Sequence, residues 1–378
     1  MSVTVQGWCP GALRPMLSGD GLVVRVRPHG GRLSPAQAAG IAAAARAHGS
    51  GLIDLSIRGN IQLRGVTPES HPRLVADLAS LGLIDADPAA EARRNLIVTP
   101  FAGAATDRLA EALAAALPRA PVLPGKFGFA VDTGPAPVLA ATPADIRLER
   151  AADGRLLLRA AGMALGAPVP EAEAPEAALA LARWFVATGG MREGRGRMAA
   201  LIAAGARPGG ALAGRVAPAP ALAPPGPGLC PRGALVAFEF GQMRAETLAA
   251  LAALGSLRVT PWRMLLVEGL ARLPALPGLI TDPADPLLRV FACTGAPGCG
   301  QGARPTRPLA RALAGRLPAG AVLHVSGCPK GCAHPVPADL VLVATPEGFD
   351  LIRDGTAAGR PRRRGLSEAH VIDLSEFS

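Results

Sequence analysis

Two stretches of the chain show the same succession of hydrophobic and polar positions. Residues 21–66 alternate as a strand, continue with helical spacing and end in a second alternating strand, with Ser34 placed to cap the helix. Residues 233–270 repeat that succession. Because neither stretch can bury its sheet face alone, we predict two halves paired about a pseudo-two-fold axis. A chance likeness between two ordinary β-α-β units is the alternative.

The remaining patterns predict two further mixed α/β regions, so the expected fold class is α+β. The segment before the second repeat is too rich in proline for regular structure. Residues 303–317 have helical spacing, and residues 320–327 and 338–345 have the pattern of buried strands. The predicted boundaries are 14–82 and 233–275 for the two halves, 90–205 and 284–356 for the two α/β domains, 215–232 for the linker and 357–378 for a basic C-terminal tail.

Composition indicates a globular protein of a reducing compartment. Hydrophobic residues make up 49% of the chain and charged residues 18%. We see neither a run of about 18 uncharged apolar residues that would span a membrane nor a basic segment and apolar core typical of a signal peptide. We therefore expect a cytoplasmic protein without a membrane contact, in which clustered cysteines are metal ligands rather than disulfides.

The net charge of +10 favours an anionic partner. Nucleic acid is disfavoured, since aromatic residues make up only 3% of the chain and tyrosine is absent, which leaves few surfaces on which bases can stack. A polycarboxylate ligand fits the charge equally well. No G-x-G-x-x-G follows a predicted strand to open a helix, so we expect no NAD or flavin site in this chain.

Four of the six cysteines fall in two pairs on predicted loops. The pairs are C-x5-C and C-x3-C, formed by Cys293, Cys299, Cys328 and Cys332. Zinc sites use tighter C-x2-C pairs and histidine mixtures, whereas a 4Fe–4S cluster takes four thiolates, and neighbouring glycines allow close backbone approach. The spacing favours the cluster and leaves zinc and a purely structural role open. Cys9 and Cys230 stand alone and are interpreted as buried or incidental thiols.

The cysteine pattern, C-x5-C followed by C-P-x-G-C, resembles the cluster motif of the sulfite and nitrite reductase superfamily. "SIRGNIQLRG" (56–65), "RRNLIVTP" (93–100) and "LPGKFGFAVD" (123–132) resemble further segments of that superfamily, so the likeness covers most of the chain. The resemblance implies paired ferredoxin-like half-domains with two further α/β domains. It also implies that the four cysteines bind a 4Fe–4S cluster. In the reductases, the last of these cysteines bridges the cluster to the iron of sirohaem.

Reductases of this superfamily hold their oxyanion and the sirohaem carboxylates with two arginines and two lysines. The resemblance assigns the arginines to Arg58 and Arg94 and one lysine to Lys126, but Gly128 stands at the second lysine position. Losing a charge-assisted hydrogen bond costs about 1.5–3 kcal/mol, or about one to two powers of ten in affinity. This departure counts against sulfite or nitrite as substrate. We expect Gly128 to leave room beside the slot in which the tetrapyrrole binds.

Two further residues are predicted to line the same tetrapyrrole slot, Gln62 and Arg263, from the basic strands of the two halves. "LPGKFGFAVD", "TPWR" (260–263) and "SGCPKGCAHP" (326–335) resemble the branch of the superfamily that acts in aerobic cobalamin biosynthesis. That branch implies a monooxygenase that hydroxylates C20 of precorrin-3A and closes a ring A acetate into a lactone. Its partners would be precorrin-3A, O2 and a separate NADH-dependent reductase. The resemblance assigns no catalytic residue.

A precorrin has nearly the size and charge of sirohaem, and one slot cannot hold both. We therefore expect a second, mononuclear non-haem iron rather than sirohaem, with His324, His334 and Asp339 as candidate ligands. Each histidine alone is more often a hydrogen-bonded loop residue. Two alternatives stay open at this point: a sirohaem-dependent assimilatory sulfite or nitrite reductase, and a binding protein stabilised by a cluster or by zinc.

Overall fold

The computed structural model of this chain describes residues 10–373, so Cys9 lies outside the described residues. The helices in that range are α1 (Pro35–His48), α2 (His71–Ser80), α3 (Pro88–Arg93), α4 (Ala104–Ala116), α5 (Ala174–Ala187), α6 (Met198–Ala203), α7 (Ala245–Ala252), α8 (Arg307–Ala314) and α9 (Glu368–Ile372). None of these helices is long and apolar enough to cross a membrane.

The strands form four sheets of five strands each within the described range. They are β1 (Met16–Ser18), β2 (Gly21–Val26), β3 (Arg32–Leu33), β4 (Leu52–Leu55), β5 (Ile61–Val66), β6 (Leu96–Val98), β7 (Phe129–Asp132), β8 (Ile146–Arg150), β9 (Leu156–Ala160), β10 (Ala167–Pro168), β11 (Gly228–Cys230), β12 (Gly233–Ala237), β13 (Gln242–Arg244), β14 (Leu257–Val259), β15 (Met264–Glu268), β16 (Val290–Ala292), β17 (Leu323–Ser326), β18 (Ala338–Thr345), β19 (Gly348–Gly355) and β20 (Arg363–Leu366).

The two repeated halves exchange a strand. The first sheet has the order β1-β2-β5-β4-β13 and the second the order β11-β12-β15-β14-β3. Strand β3 of the first half thus pairs with β14 of the second, and β13 of the second pairs with β4 of the first. Residues of both halves, among them Ile41 and Leu248 on the two helices, are fully buried in one common core. The predicted pairing of the halves is therefore present in the structure.

Helix α1 begins where the sequence predicts. The Ser34 hydroxyl accepts a hydrogen bond from the backbone N–H of Gln37 at 3.1 Å, and the Gln37 side chain accepts one from the backbone N–H of Ser34 at 3.0 Å. This reciprocal arrangement satisfies two amides at the helix start. Pro35 at the first helical position has no amide hydrogen to satisfy.

The third and fourth sheets share one topology. Each has three parallel strands followed by two antiparallel ones, in the orders β6-β7-β8-β9-β10 and β16-β17-β18-β19-β20. The two α/β domains are therefore a second internal repeat, which the hydrophobic pattern alone does not reveal. In such sheets the loops after parallel strands meet at one edge, where ligands bind. The predicted cluster cysteines lie on these loops in the fourth sheet.

Two segments that were expected to be irregular contain regular structure. Strand β11 lies within the proline-rich segment and forms a hairpin with β12. Strand β20 and helix α9 lie within the segment expected as a tail. There, Val371 is fully buried in the core of the fourth sheet. The sequence does not predict β20 as a strand, because this strand lies at the edge of its sheet and keeps its arginines in solvent.

The third sheet holds a buried carboxyl group at the end of β7. Asp132 is 3% exposed, and its Oδ2 accepts hydrogen bonds from the backbone N–H groups of Val138 and Leu139 at 2.8 and 2.7 Å. Burial raises the pKa of Asp132 from 3.8 to about 6, against the opposing effect of the two amides. The native state therefore binds more protons than the unfolded chain between these two pH values and loses stability as the pH rises through them.

We expect Asp132→Asn to abolish most of this loss, because asparagine keeps an acceptor for both amides without a buried charge. A shift from 3.8 to about 6 corresponds to about 3 kcal/mol. Urea denaturation of both proteins across that pH range measures the difference in slope. Glu111→Gln, on the exposed side of α4, is the matched control. An unchanged slope in Asp132→Asn would contradict the argument.

Candidate functional site

The four clustered cysteines lie on two loops at the carboxyl ends of β16 and β17. Burial raises the pKa of the Cys328 thiol, and Cys293 and Cys299 raise it further. Partial desolvation raises the pKa of Cys332, although this residue is exposed, and the other three sulfurs raise it further. Cys293 and Cys299 lie near enough to Cys328 and Cys332 to raise the pKa of both thiols. Between residues 10 and 373, however, no three of these side chains are arranged to hold one metal ion, so the cluster stays a prediction.

Glycines let the two loops approach each other closely. The backbone N–H of Gly327 donates to Cys293 Sγ at 3.1 Å. A Cβ on Gly327 would stand 3.4 Å from that sulfur and 3.2 Å from the Cα atoms of Gly295 and Gly302. Any side chain at position 327 would therefore push the loops apart and displace an amide that donates to sulfur.

A row of polar side chains crosses the first sheet on the face away from the core. Gln62 on β5 lies directly opposite Arg25 on β2 and Asp54 on β4. The Arg25 Nη2 donates to Gln62 Oε1 at 2.7 Å, and the side-chain amide of Gln242 on β13 donates to Asp54 Oδ1 at 2.8 Å. The alternation of the strands places these residues on one face, while Leu63 and its apolar neighbours fill the core.

This polar face packs against the first cysteine loop. Arg64 Nη2 donates to the backbone carbonyl of Gly298 at 2.8 Å, and the Ser18 hydroxyl donates to the same carbonyl at 2.7 Å. Arg64 is held in turn by an ion pair with Asp20 at 2.7 Å. The loop that carries Cys299 is therefore fixed to the first half-domain by a charge-assisted hydrogen bond from Arg64 and a neutral one from Ser18.

A cavity of about 300 Å³ separates the polar face from the cysteine loops. Its lining includes Gln62, Arg263, Cys293 and Cys332, all predicted from the sequence, together with Arg25 and Arg307. Such a volume is at the lower end for a ligand pocket. The tetrapyrrole predicted from the sequence would fit into a cavity of this size only in part.

Arg263 is held in an uncommon backbone conformation beside the cysteines. Its φ is +61°, which side chains rarely adopt, whereas Gly59 takes φ +64° at the equivalent turn of the first half. The guanidinium donates to the backbone carbonyl of Ala333 at 2.7 Å and lies 5.8 Å from the centre of the Phe291 ring. Burial lowers the pKa of Arg263, while Asp54 opposes this shift. The site thus contains a desolvated cation next to Cys332.

The structure adds residues that the sequence did not single out, namely Arg25, Asp54, Phe240 and Arg307. The alternating pattern of β2 contained the signal for Arg25, which is the polar position opposite Gln62. Arg307 carries no local signal, because it lies on α8 and reaches the cavity only through domain packing. Its Nη2 is 3.5 Å from Asp54 Oδ1, and its guanidinium lies 5.9 Å from the centre of the Phe240 ring.

Arg58, Lys126 and Gly128 form a second group at the turn after β4. The Arg58 Nη2 donates to the backbone carbonyl of Lys126 at 3.2 Å, and the Lys126 side chain is exposed. The expectation of room at Gly128 is wrong. A Cβ there would stand 2.9 Å from Asn95 Nδ2 and 3.5 Å from Arg58 Nη1. The Asn95 amide, which donates to the backbone carbonyl of Phe127 at 2.8 Å, occupies this space.

We expect Gly128→Lys, which restores the lysine of the reductases, to destabilise the fold by about 1–3 kcal/mol, the usual cost of overpacking. Gly128→Ala should show a smaller loss, and Asn95→Ala combined with Gly128→Ala should recover part of it. Thermal denaturation of the three variants measures the order of their stabilities. A Gly128→Lys variant as stable as the wild type would show that the Asn95 side chain moves aside at no cost in stability.

Arg94 lies at a different cavity from the cysteines. Its guanidinium donates to both carboxylate oxygens of Asp85, each at 2.8 Å. With His29 it lines a cavity of about 340 Å³. Burial lowers the pKa of His29, and Arg94 lowers it further. The predicted role of Arg94 toward a ligand carboxylate stays a prediction, and in this structure Asp85 engages the side chain.

The two candidate histidines are close to each other beneath the cysteine loops. His324 is fully buried on β17, and its ring centre is 5.9 Å from that of His334, which stacks on Phe291 at 4.3 Å. Burial, with smaller effects from His334 and Arg263, lowers the pKa of His324 to about 4. The ring is therefore neutral at physiological pH. Neither ring nitrogen of His324 has a hydrogen-bond partner among the described residues.

Asp339 is not part of this histidine pair. Its side chain is exposed, and its Oδ2 accepts a hydrogen bond from the backbone N–H of Val322 at 2.8 Å. Between residues 10 and 373, no three His, Cys, Asp or Glu side chains are arranged to hold a single metal ion. The second iron thus stays a prediction for which the described residues supply no set of three ligands.

Comparisons with known proteins agree with this architecture. The family model described as the nitrite/sulfite reductase ferredoxin-like half domain matches residues 14–81. The curated precorrin-3B synthase of Sinorhizobium sp is 31% identical over 396 aligned positions, which cover 94% of this chain and 84% of that protein. The structure of the Mycobacterium tuberculosis NirA protein superposes with a TM-score of 0.66 at 21% identity, covering 93% of this chain and 79% of that one. The predicted fold class is confirmed.

Proposed function

Because this chain belongs to the precorrin-3B synthase family, we propose that it is an iron–sulfur monooxygenase of aerobic cobalamin biosynthesis, acting in the cytoplasm. The reaction hydroxylates C20 of precorrin-3A and closes a ring A acetate into a lactone. One oxygen atom of O2 enters the product. The other leaves as water with two electrons from NADH and two protons, so atoms and electrons balance.

The observation that carries this proposal is the cationic cavity beside the cysteine loops. Arg25, Arg263 and Arg307 line it, whereas Asp54 is its acidic lining residue among those described. A precorrin carries acetate and propionate arms, which arginine binds through charge-assisted, often bidentate hydrogen bonds. A pocket of this charge favours a polycarboxylate over a neutral ligand.

The four cysteines are proposed to hold a 4Fe–4S cluster. The spacing of the two pairs supports this proposal, as does the Gly327 amide that donates to Cys293 Sγ. When bound, the cluster supplies one electron at a time. Cys293 raises the pKa of the partly buried Arg263 guanidinium against the effect of burial, so the two groups attract each other.

Arg58 and Lys126 are proposed to bind carboxylate arms of the substrate outside the cavity. The turn that carries Arg58 continues directly from Ile57, which lines the cavity, so a tetrapyrrole in the cavity would extend toward this pair. Arg94 could join them only by leaving Asp85, and we assign it a lower share of the binding energy.

We propose a mononuclear non-haem iron instead of sirohaem as the oxygen-activating centre. Substrate and sirohaem would compete for one slot. His324 and His334 are the candidate ligands, since burial keeps the His324 ring neutral and its nitrogens lack other partners within the described range. The described residues supply no third ligand beside them. Asp339 is the weakest candidate of the three, since its carboxylate bonds Val322 instead.

The match of residues 14–81 to the nitrite/sulfite reductase half domain favours one rival, a sirohaem-dependent reductase. Acid–acetone extraction with visible absorption, beside iron counting by mass spectrometry, separates the two. We expect cluster iron and no stoichiometric sirohaem in active protein, and a product from precorrin-3A and 18O2 that carries one labelled oxygen. About one sirohaem per active chain, with turnover of sulfite or nitrite, would favour the reductase over the monooxygenase. Retained iron without either activity would leave a binding protein.

A further inference from the structure

A cavity of about 890 Å³ lies where the proline-rich linker crosses the loops of the third sheet. Its lining comes from the loops after β6 and β7, from the β11–β12 hairpin with the end of β15, and from the linker. Phe101 and Val138 belong to the loops, Arg232 to the hairpin and Leu222 to the linker. It shares no lining residue with the cavity beside the cysteines, so its ligand is a question separate from the proposed function.

The position of this cavity in the fold is typical of a ligand site. The third sheet repeats the topology of the fourth, in which the loops after the first two parallel strands carry the cysteines. In the third sheet the corresponding loops carry Phe101 and Val138, which line the cavity. Ligands bind beyond the carboxyl ends of parallel strands, and the volume lies within the usual range for a small-molecule pocket.

The walls of the cavity are mostly apolar. Phe101, Val138, Leu222 and Pro225 all contribute carbon atoms. The backbone N–H of Leu222 donates to the carbonyl of Pro137 at 2.8 Å, which fixes the linker against the loop after β7. The Leu222 side chain is nevertheless 59% exposed. An apolar ligand would remove this surface from water, so the walls favour a ligand with an apolar body.

One cation in the lining has no acidic partner. Arg232 is partly buried, and its Nε donates to the backbone carbonyl of Phe101 at 3.0 Å. Within residues 10–373, no carboxylate forms an ion pair with this guanidinium. Its two terminal nitrogens therefore remain available to an anionic group, and they would hold a carboxylate through charge-assisted hydrogen bonds.

The carboxylate that lines the cavity is already engaged by other arginines. Glu268 Oε2 accepts a hydrogen bond from Arg32 Nε at 2.8 Å, and Glu268 Oε1 accepts one from Arg258 Nε at 2.8 Å. Arg258 also donates to both carboxylate oxygens of Asp107, at 3.0 and 2.9 Å. A cationic ligand would therefore find no free carboxylate in this lining, whereas Arg232 offers one positive charge.

We propose that this cavity binds a small monocarboxylate with an apolar body. Its head group bonds Arg232, and its chain lies between Phe101, Val138 and the linker. The single free cation limits the ligand to one negative charge, because further carboxylates would lie unpaired against apolar walls at a cost in free energy. The site thus selects a ligand different in chemistry from a polycarboxylate tetrapyrrole.

The test uses three probes that share a ten-carbon chain: decanoate, decanol and decyltrimethylammonium. Isothermal titration of the full-length protein at neutral pH, where decanoate is ionised, measures their affinities. Cys230 lines the cavity, so the rate of its alkylation by N-ethylmaleimide, resolved by peptide mass spectrometry, locates the ligand. Melting temperatures with and without decanoate give a third measurement, since a ligand of the native state raises them.

Three variants separate the charge from the volume. Arg232→Gln removes the charge, and Ala223→Trp fills the mouth of the cavity while keeping the charge. Arg215→Gln is the matched control, because Arg215 also donates to a backbone carbonyl, that of Gly210 at 3.3 Å, but does not line the cavity. Equal melting temperatures without ligand show that the variants are folded.

We expect decanoate to bind the wild type about ten- to a hundredfold more tightly than decanol, and decyltrimethylammonium to bind more weakly still. Decanoate should slow the alkylation of Cys230 and raise the melting temperature. Arg232→Gln should lose the preference for decanoate over decanol. Ala223→Trp should weaken both ligands, and Arg215→Gln should match the wild type.

Several outcomes would overturn the proposal. Decanol that binds as tightly as decanoate would remove the role of the charge, and so would an unchanged affinity for decanoate in Arg232→Gln. Unchanged alkylation of Cys230 at saturating decanoate would place the ligand elsewhere. Decanoate binding that is lost in Arg263→Gly, but kept in Arg232→Gln and Ala223→Trp, would assign it to the cavity beside the cysteines instead.

Discussion

Serine at any one of Cys293, Cys299, Cys328 or Cys332 is expected to remove the bound iron and sulfide together with the visible absorption of the cluster. A 4Fe–4S cube takes one thiolate for each iron, and a serine hydroxyl replaces it poorly. From about four iron and four sulfide in the wild-type chain, each variant should fall below about one of each. Iron counting by mass spectrometry and acid-labile sulfide determination measure this loss after anaerobic purification.

Cys230→Ser is the matched control for this series. Cys230 is half-buried and lines another cavity, of about 890 Å³, beside the proline-rich segment. This variant should keep its full iron and sulfide. If all four cluster variants also keep theirs, the cluster assignment fails; if only one does, that cysteine is not a ligand. A variant that loses zinc instead of iron would support the zinc alternative.

The second large effect is expected at Arg263. Arg263→Gly removes the guanidinium yet suits the backbone, because glycine adopts φ +61° without strain and Gly59 does so at the equivalent turn. Loss of a charge-assisted hydrogen bond of about 1.5–3 kcal/mol should weaken precorrin-3A binding by about one to two powers of ten. Fluorescence or absorption titration of the anaerobic protein with precorrin-3A measures the dissociation constant.

Arg263→Lys is the informative companion, since it keeps the charge but not the planar fork. We expect the affinity of Arg263→Lys for precorrin-3A to lie between those of the wild type and Arg263→Gly. Melting temperature and iron content should stay at the wild-type level in Arg263→Gly, because relief of the uncommon φ offsets the lost contact with Ala333. Unchanged affinity in Arg263→Gly would remove this guanidinium from the substrate site. Lost iron would instead give it a structural role in the cysteine loops.

Local chemistry made several features of this protein readable from its sequence. Ser34 and Gln37 satisfy each other's amides within four residues, so the start of α1 needs no tertiary context. Alternation on β5 separates Gln62 from the apolar core, because side chains of a strand point to opposite faces. The two cysteine pairs predict one metal site, since their spacing and glycines are suited to loops around a cluster, and this site stays a prediction. The paired halves follow from two units too small to bury their own sheets.

Only the tertiary structure decided which polar groups meet and which are already engaged. Gly128 looks like an open position in the sequence, yet Asn95 fills it from another part of the chain. Arg94 matches a ligand-binding pattern, but Asp85 holds its guanidinium. Arg307 reaches the cavity through the packing of α8 against the first half, over a separation of hundreds of residues. Ion pairs and steric contacts of this kind depend on distances set by domain packing, and no local pattern encodes them.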